Sequence, residues 1–499
     1  MEGREAGTPG FDRAADYIKN RFETLGLLPA GDNGSYFQDV PMVEFERETD
    51  FGGTIEFLGD DAPTGIIPGD DYIISASATN KTGTIEAPVV FAGFGLVAPD
   101  HDRDDYGNLD VAGKIVMVVR GAPKFLNSEE RAHYRSTQAK RASDRGAIGI
   151  ISIPTPTSAK RFPWARLLKV VVGNTGMRWL TNDGTPHSTS PKIESSAFFN
   201  IATAEKIFAG LPTSWEEIAA SAESNDGKVP SFDTGFAARL TYQSKQRNLT
   251  STNVIGLLPG ADPQLRDEFI VVTGHLDHIG IKPTDDPDDD EIYNGAMDNA
   301  TGIASILETA RLLKDNPPKR SILFVALTAE EKGLVGSDYL AQNPVVGADQ
   351  VVANINMDMP IINYDFEDVV AFGGERTTMF PVVTAAADRA NLKLSPDPFP
   401  DEGFFTRSDQ YSFVKQGIPS LYLDIGVAGG GGPIQEAFLK THYHEPSDEA
   451  DLVNYDSLQR FAQVNAEIVQ GVANMDKRPR WKTGDFFGLT FGGIMEKDE

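Results

Sequence analysis

The chain has 499 residues with 45 Lys and Arg against 73 Asp and Glu, a formal net charge of −28. That balance excludes general nucleic-acid binding, which needs cationic side chains to displace counterions from phosphate, and a hydrophobic content of 40% excludes wholesale disorder. The absence of cysteine removes disulfides, thiolate metal sites and Cys nucleophiles, and no run of about 18 apolar residues is present to cross a bilayer as a helix.

Thr8 and Pro9, followed by Phe11, Ala14, Ala15, Ile18, Phe22 and Leu25 at helical spacing and closed by Gly26, predict a capped amphipathic helix near the start. The opening residues lack the apolar core of a secretory signal, so either the chain stays in the cytoplasm or a leader was removed ahead of residue 1. From about residue 40 to 250, short β-type runs such as 87–96 and 114–120 are punctuated by Gly, Pro and Asp. One helical segment at 131–145 interrupts them, followed by an apolar strand at 147–153. Beyond residue 251, strands at 269–273, 322–327 and 351–355 alternate with a helix at 303–313, whose Ile303, Ile306, Leu307, Ala310 and Leu313 form one apolar face. A last helix is predicted at 456–475, and the polar, Gly-rich tail from about Asp476 reads as a loose or docking extension. The length predicts at least two domains. The expected divisions are a helical segment at 1–40 that belongs with the last domain, a β-rich region at 41–250, an α/β domain at 251–475 and an extension at 476–499.

Four of the seven histidines fall in two tight groups, His275 with His278 and His442 with His444. Each strand predicted after residue 268 ends in acid or imidazole: His275 and Asp277, then Glu330 and Glu331, then Asp358; the turn opening the 303–313 helix adds Asp298. Ligands of open α/β sheets bind beyond the carboxyl ends of the strands, so these groups should converge. A pocket holding that many carboxylates repels itself without cations. Imidazole with carboxylate and no sulfur suits zinc, with manganese or cobalt as substitutes. Five such ligands fit two ions sharing a bridging carboxylate, roughly 3.5 to 4 Å apart. One carboxylate is then left to take a proton, and the adjacent Glu330 and Glu331 offer that division because neighbouring side chains at a strand end point apart.

The segments GHLDHIG, NGAMDNATGIASILETAR, RSILFVALTAEEKGLVGS, NINMDM, RSDQYSFVKQGIP and HYHEPSDEAD resemble the co-catalytic di-zinc exopeptidase family of the bacterial leucyl aminopeptidase and glutamate carboxypeptidase type. The resemblance implies a zinc-exopeptidase mixed sheet flanked by helices, interrupted by a β-rich protease-associated domain at about 85–240. It makes His275 and Asp358 ligands of one zinc, Glu331 and His444 ligands of the other, Asp298 the bridge and Glu330 the general base. Asp277 falls on the carboxylate that accepts the His275 N–H. The implied activity is an aminopeptidase releasing N-terminal residues from peptides or aminoacyl compounds by attack of a metal-bridging water. The same resemblance implies a periplasmic or secreted bacterial enzyme.

Arg407, Ser408 and Asp409 lie in a segment similar to the family's substrate-side loop, where Gln410 stands in place of a histidine common among relatives. Arg407 or Arg376 could instead pair with a substrate carboxylate, as a carboxypeptidase needs, or form an internal ion pair. The run DDPDDDE at 285–291 reads first as a solvated loop and second as a calcium site. His278 and His442 read as pocket or surface residues, and Asp298 alone could be a helix cap. Two other activities stay open: a carboxypeptidase or N-acyl amino acid deacylase on the same metals, and a non-catalytic receptor-like ectodomain.

Overall fold

The computed structural model describes residues 1–497. The chain divides into two compact units, Met1–Pro41 with Leu249–Glu499, and Met42–Asn248.

In the first unit the sheet order is Lys393–Leu394, Asp368–Phe372, Ser420–Ile425, Val351–Asn356, Phe269–His275, Ser321–Leu327 and the C-terminal part of Ser231–Leu258. Four central strands, Ser420–Ile425, Val351–Asn356, Phe269–His275 and Ser321–Leu327, run parallel. Antiparallel neighbours flank them on both sides. Nearly every residue of these four strands is buried, as the continuous apolar runs require of a sheet covered on both faces. The strand sites predicted from sequence are occupied, each extended by a residue or two, and the fourth parallel strand, Ser420–Ile425, had no counterpart in the prediction.

The helix Pro9–Leu25 has Thr8 as its cap, with the Thr8 hydroxyl accepting from the Phe11 N–H, and Gly26 closes it at φ +79°, a left-handed conformation that suits glycine. Its Phe11, Ala14, Ile18 and Phe22 enter the same core as Ile303, Ile306 and Ala310 of helix Thr301–Leu313 and Phe461, Ile468 and Val472 of helix Tyr455–Ala473. The C-terminal tail is packed: Trp481 and Phe487 are fully buried with Phe405 and Tyr411, and the Trp481 indole donates to the Gly417 carbonyl at 2.8 Å.

The second unit has its own sheet, in which Thr82–Ala92, Ile115–Arg120, Gly149–Pro154 and Ser195–Phe199 are parallel, and residues 231–243 and Tyr72–Ile74 add antiparallel neighbours. Where the sequence predicted one helical segment, this unit holds six helices, and the predicted one is broken at Thr137 into Ser128–Ser136 and Gln138–Asp144. The others are five to nine residues long, too short for a helical period to declare itself.

Candidate metal centre

The parallel direction of the four central strands puts their carboxyl ends on one edge. There, Phe269–His275 ends on His275 and turns through Asp277 and His278; Ser321–Leu327 runs on to Glu330 and Glu331; Val351–Asn356 runs on to Asp358; and Ser420–Ile425 carries Asp424 as its penultimate residue. Asp298 comes from the turn before helix Thr301–Leu313, and His444 follows helix Gly431–Thr441. That turn is held from two sides. The Asp448 carboxylate accepts the N–H groups of Met297 and Asp298 at 2.9 and 3.1 Å, and Asn299 Oδ1 accepts from Gly302 and Met359 at 3.0 Å each. Asn299, one residue beyond the acid proposed from sequence, is thus the residue whose side chain caps the helix, which leaves both oxygens of Asp298 for the site.

Those oxygens face different partners. Asp298 Oδ1 lies 3.2 Å from His275 Nε2, which is 3.0 Å from Asp358 Oδ1. Asp298 Oδ2 lies 3.2 Å from His444 Nε2, which is 3.3 Å from Glu331 Oε2. His278 Nδ1 meets Glu331 Oε1 at 2.8 Å and Asp298 Oδ2 at 3.9 Å. Two groups with donor atoms mutually within 4.8 Å result, His275 with Asp298 and Asp358, and His278 with Asp298 and Glu331, both containing Asp298. His278, placed by the sequence reading in the pocket or on the surface, is fully buried inside this cluster. His442 stands outside it, bonded to Ser447.

The donor set fits a divalent cation. His275 Nδ1 faces the Asp277 carbonyl at 3.1 Å, so that nitrogen carries the hydrogen and donates it. The remaining Nε2 lone pair points at two carboxylate oxygens, an arrangement that is repulsive unless a proton or a metal ion lies between them. The titration directions agree: burial lowers the His444 imidazole, but its bonds to Asp298 and Glu331 outweigh that and push it up to about 10. Burial raises Glu331, yet its bonds to His278 and His444 bring it down to about 2. Glu330 behaves oppositely. Burial, reinforced by the Asp358 and Glu331 carboxylates against the pull of His275, holds its carboxyl well above the usual range.

One expected contact is corrected. The Asp277 side chain does not accept from His275; the Asp277 main-chain carbonyl does, and the carboxylate instead accepts the Glu330 and Glu331 N–H groups at 3.0 and 3.3 Å. Two residues of tight turn bring the carbonyl under the ring and aim the side chain at the next strand end. Asp277 therefore positions the two glutamates and the imidazole rather than touching a substrate.

A cavity of about 830 Å³, counted to its open mouth, is lined by His275, Asp298, Glu330, Glu331, Asp358 and His444 at one end and mainly by apolar and aromatic side chains beyond. Arg407 and Ser408 line it as well. Arg407 is half-exposed and paired with Glu402 at 3.2 Å, and the Ser408 hydroxyl donates to Asp358 Oδ2 while accepting from Asn356 Nδ2 at 2.8 Å. Asp409 is a second correction: it is fully buried off the cavity, so it does not contact substrate, and burial pushes its carboxyl up to about 7. Gln410 is buried too, between Asn356 and the Phe405 carbonyl. Arg376 is an internal partner of Asp485 at 2.8 Å. In the acidic run, Asp286, Asp290 and Glu291 accept main-chain N–H groups of their own exposed loop. The residues that sequence reasoning did not weigh are Asp448, Asn299 and Asp424; the first two sat inside the recognisable segments, whereas Asp424 lay in the strand that was not predicted.

Among characterised proteins, the aminopeptidase YwaD of Bacillus subtilis is 26% identical over 243 residues, 47% of each chain. The chain spans about half the length, or less, of the curated relatives it matches first. The probable lipoprotein aminopeptidase LpqL of Mycobacterium tuberculosis is 23% identical over 91% of this chain and 78% of its own. An aminopeptidase from Aneurinibacillus sp. strain AM-1 has the same fold, with a TM-score of 0.52 at 19% identity over 94% of this chain and 89% of that one. The model of peptidase family M28 matches residues 253–469, the stretch that carries all the donors above. Over those residues the chain is similar to peptidase family M28.

Proposed function

We propose that the protein is a zinc-dependent aminopeptidase that removes N-terminal residues from peptides or aminoacyl compounds. The observation that carries this reading is Asp298, whose two oxygens face separate imidazole and carboxylate groups, with the Glu330 carboxyl in the same cavity. In this reading His275 and Asp358 hold one zinc, Glu331 and His444 hold the other, and Asp298 is shared. Zinc bound there supplies Lewis acidity toward water and the scissile carbonyl. Glu330, which lines the same cavity and is not one of those ligands, takes the proton from the attacking water and returns it to the departing amine. Asp277, Asp448 and Ser408 keep the ligands aimed. The acidic surroundings favour a substrate with a cationic amino terminus. The names of the three relatives given above, each an aminopeptidase, support the same choice.

Residues 85–240 are proposed to form a protease-associated domain, and the enzyme to work in the periplasm or outside the cell. The lipoprotein relative supports that location; no helix among the described residues is long and apolar enough to cross a membrane. The test is zinc content per chain together with hydrolysis of leucine p-nitroanilide and its N-acetyl form. Two zincs per chain with turnover of the free amine alone is the expected result. Turnover of the acetylated substrate alone would replace the reading with a deacylase, and no bound zinc after reconstitution would overturn it.

A further inference from the structure

One wall of the cavity is built by two paired strands. In Asp368–Phe372 and Ser420–Ile425, Val370 stands opposite Asp424 and Phe372 opposite Tyr422, and residues directly opposite in an antiparallel pair share a face. All four side chains line the cavity. The Phe372 and Tyr422 rings stack with centroids 5.3 Å apart, and Phe404 meets Phe372 edge-on at 5.8 Å. This wall joins the metal-ligand end through the Tyr422 hydroxyl, which donates to the Asp358 carbonyl at 2.9 Å. Asp424 lies two residues further along the strand, on the same face and next to the Tyr422 hydroxyl.

Asp424 is poorly compensated. Its Oδ1 accepts the N–H of the adjoining Ile425 at 2.7 Å, and the Tyr422 hydroxyl is its other polar neighbour. No Lys, Arg or His forms an ion pair with it among the described residues. Burial and the nearby Asp358 carboxylate push it up to about 8. Other buried acids of this edge hold the fold together, since Asp277 accepts two main-chain N–H groups and Asp448 accepts two more. Asp424 meets only the Ile425 N–H and the Tyr422 hydroxyl, in a cavity wall otherwise made by Val370, Phe372 and Phe404. A carboxylate so placed gains most from a cation arriving with the ligand, and apolar walls suit a methylene stem that carries one.

We infer that Asp424 selects the side chain of the substrate's amino-terminal residue, so that the cavity takes lysine or arginine, with the stem along Phe372, Tyr422 and Phe404 and the cation on Asp424. This rests on the aminopeptidase reading. Norleucine has the stem of lysine without its charge, which makes the pair a direct probe.

The experiment measures kcat/KM of the zinc-loaded enzyme for the lysine, arginine, norleucine and leucine p-nitroanilides, in wild type and in Asp424→Asn. The lysine-to-norleucine ratio should exceed one by about 10- to 150-fold, the range of a hydrogen bond to a charged group, and should collapse by a similar factor in Asp424→Asn. A wild-type ratio at or below one, with norleucine or leucine hydrolysed, overturns the inference and leaves the aminopeptidase reading standing. An equal ratio in wild type and variant also overturns it. Hydrolysis of none of the four overturns the aminopeptidase reading and this inference with it. The wild-type ratio needs no variant, and Asp424→Ser replaces Asp424→Asn should the latter not fold.

Discussion

The two compact units both bury charge, and the strand-end cluster of the first satisfies it unlike the second. In Met42–Asn248, Arg141 donates to the Gly95 carbonyl and to Thr137 Oγ1 at 2.6 Å each, and the buried Asp105 accepts the N–H groups of Phe94 and Leu96 at 2.9 and 3.1 Å. Each charge meets fixed dipoles of the same fold, so it is spent on holding loops in place. In the other unit, His275, Asp298, Asp358, Glu330 and Glu331 meet mainly one another, and negative charge is in excess. The histidines record the difference. Burial, with Arg141 adding to it, lowers His133 in the one unit to about 4, whereas carboxylates raise His444 in the other to about 10 against burial. A buried charge matched by backbone belongs to the scaffold; a buried charge short of its counter-ion marks where something else binds.

The contrast is broken most strongly at Glu330. Glu330→Gln keeps the shape but removes the proton acceptor, and kcat should fall about 10²- to 10⁴-fold with zinc content unchanged by elemental analysis. Loss of zinc along with activity would make Glu330 a ligand instead. The next effect is metal removal. A chelator should cost the first unit about 4 kcal/mol if the metal is present at 1,000 times its Kd. Hydrogen exchange should then rise in residues 275–299 and 328–331 but not in the helices Ser128–Ser136 and Gln138–Asp144. Equal loosening in both would erase the distinction drawn above.

The smallest effect concerns His133, whose ring is held neutral. Its folded pKa, about 4, lies below the unfolded value near 6.5. The unfolded chain therefore binds the proton more readily across that interval, and stability is full above pH 6.5 and lost as pH falls toward 4. The loss is about 3 kcal/mol at most. Denaturant unfolding at pH 7.5 and 4.5, followed in wild type and His133→Gln, should show a steeper acid loss in wild type. Identical losses would mean that His133 does not carry the acid sensitivity of its unit.

Much of the site could be read before any fold was known, because the chemistry sits at strand ends that punctuate long apolar runs. His275, Glu330, Glu331 and Asp358 each follow such a run, and the parallel order implied by alternating strand and helix brings them together. Asp277 shows where that logic stops: spacing placed it beside His275, but which of its oxygens faces the ring depends on the turn. Asp409 was drawn toward the substrate by its neighbours in the motif, whereas the turn at Ser408 buries it. The short helices of Met42–Asn248 and the strand Ser420–Ile425 left too brief a pattern to be separated from loop.

The amino-acid sequence by itself determined the acidic character, the absence of sulfur ligands, the amphipathic helices and the set of imidazoles and carboxylates, since these depend on composition and on periods of 2 and 3.6 residues. Only the tertiary structure decided that Asp298 presents one oxygen to each group, that His278 lies inside the cluster, and that Asp424 stands opposite Val370 in the cavity wall. Those facts depend on register between strands distant in the chain and on which peptide groups a turn leaves free, and neither leaves a trace in local sequence.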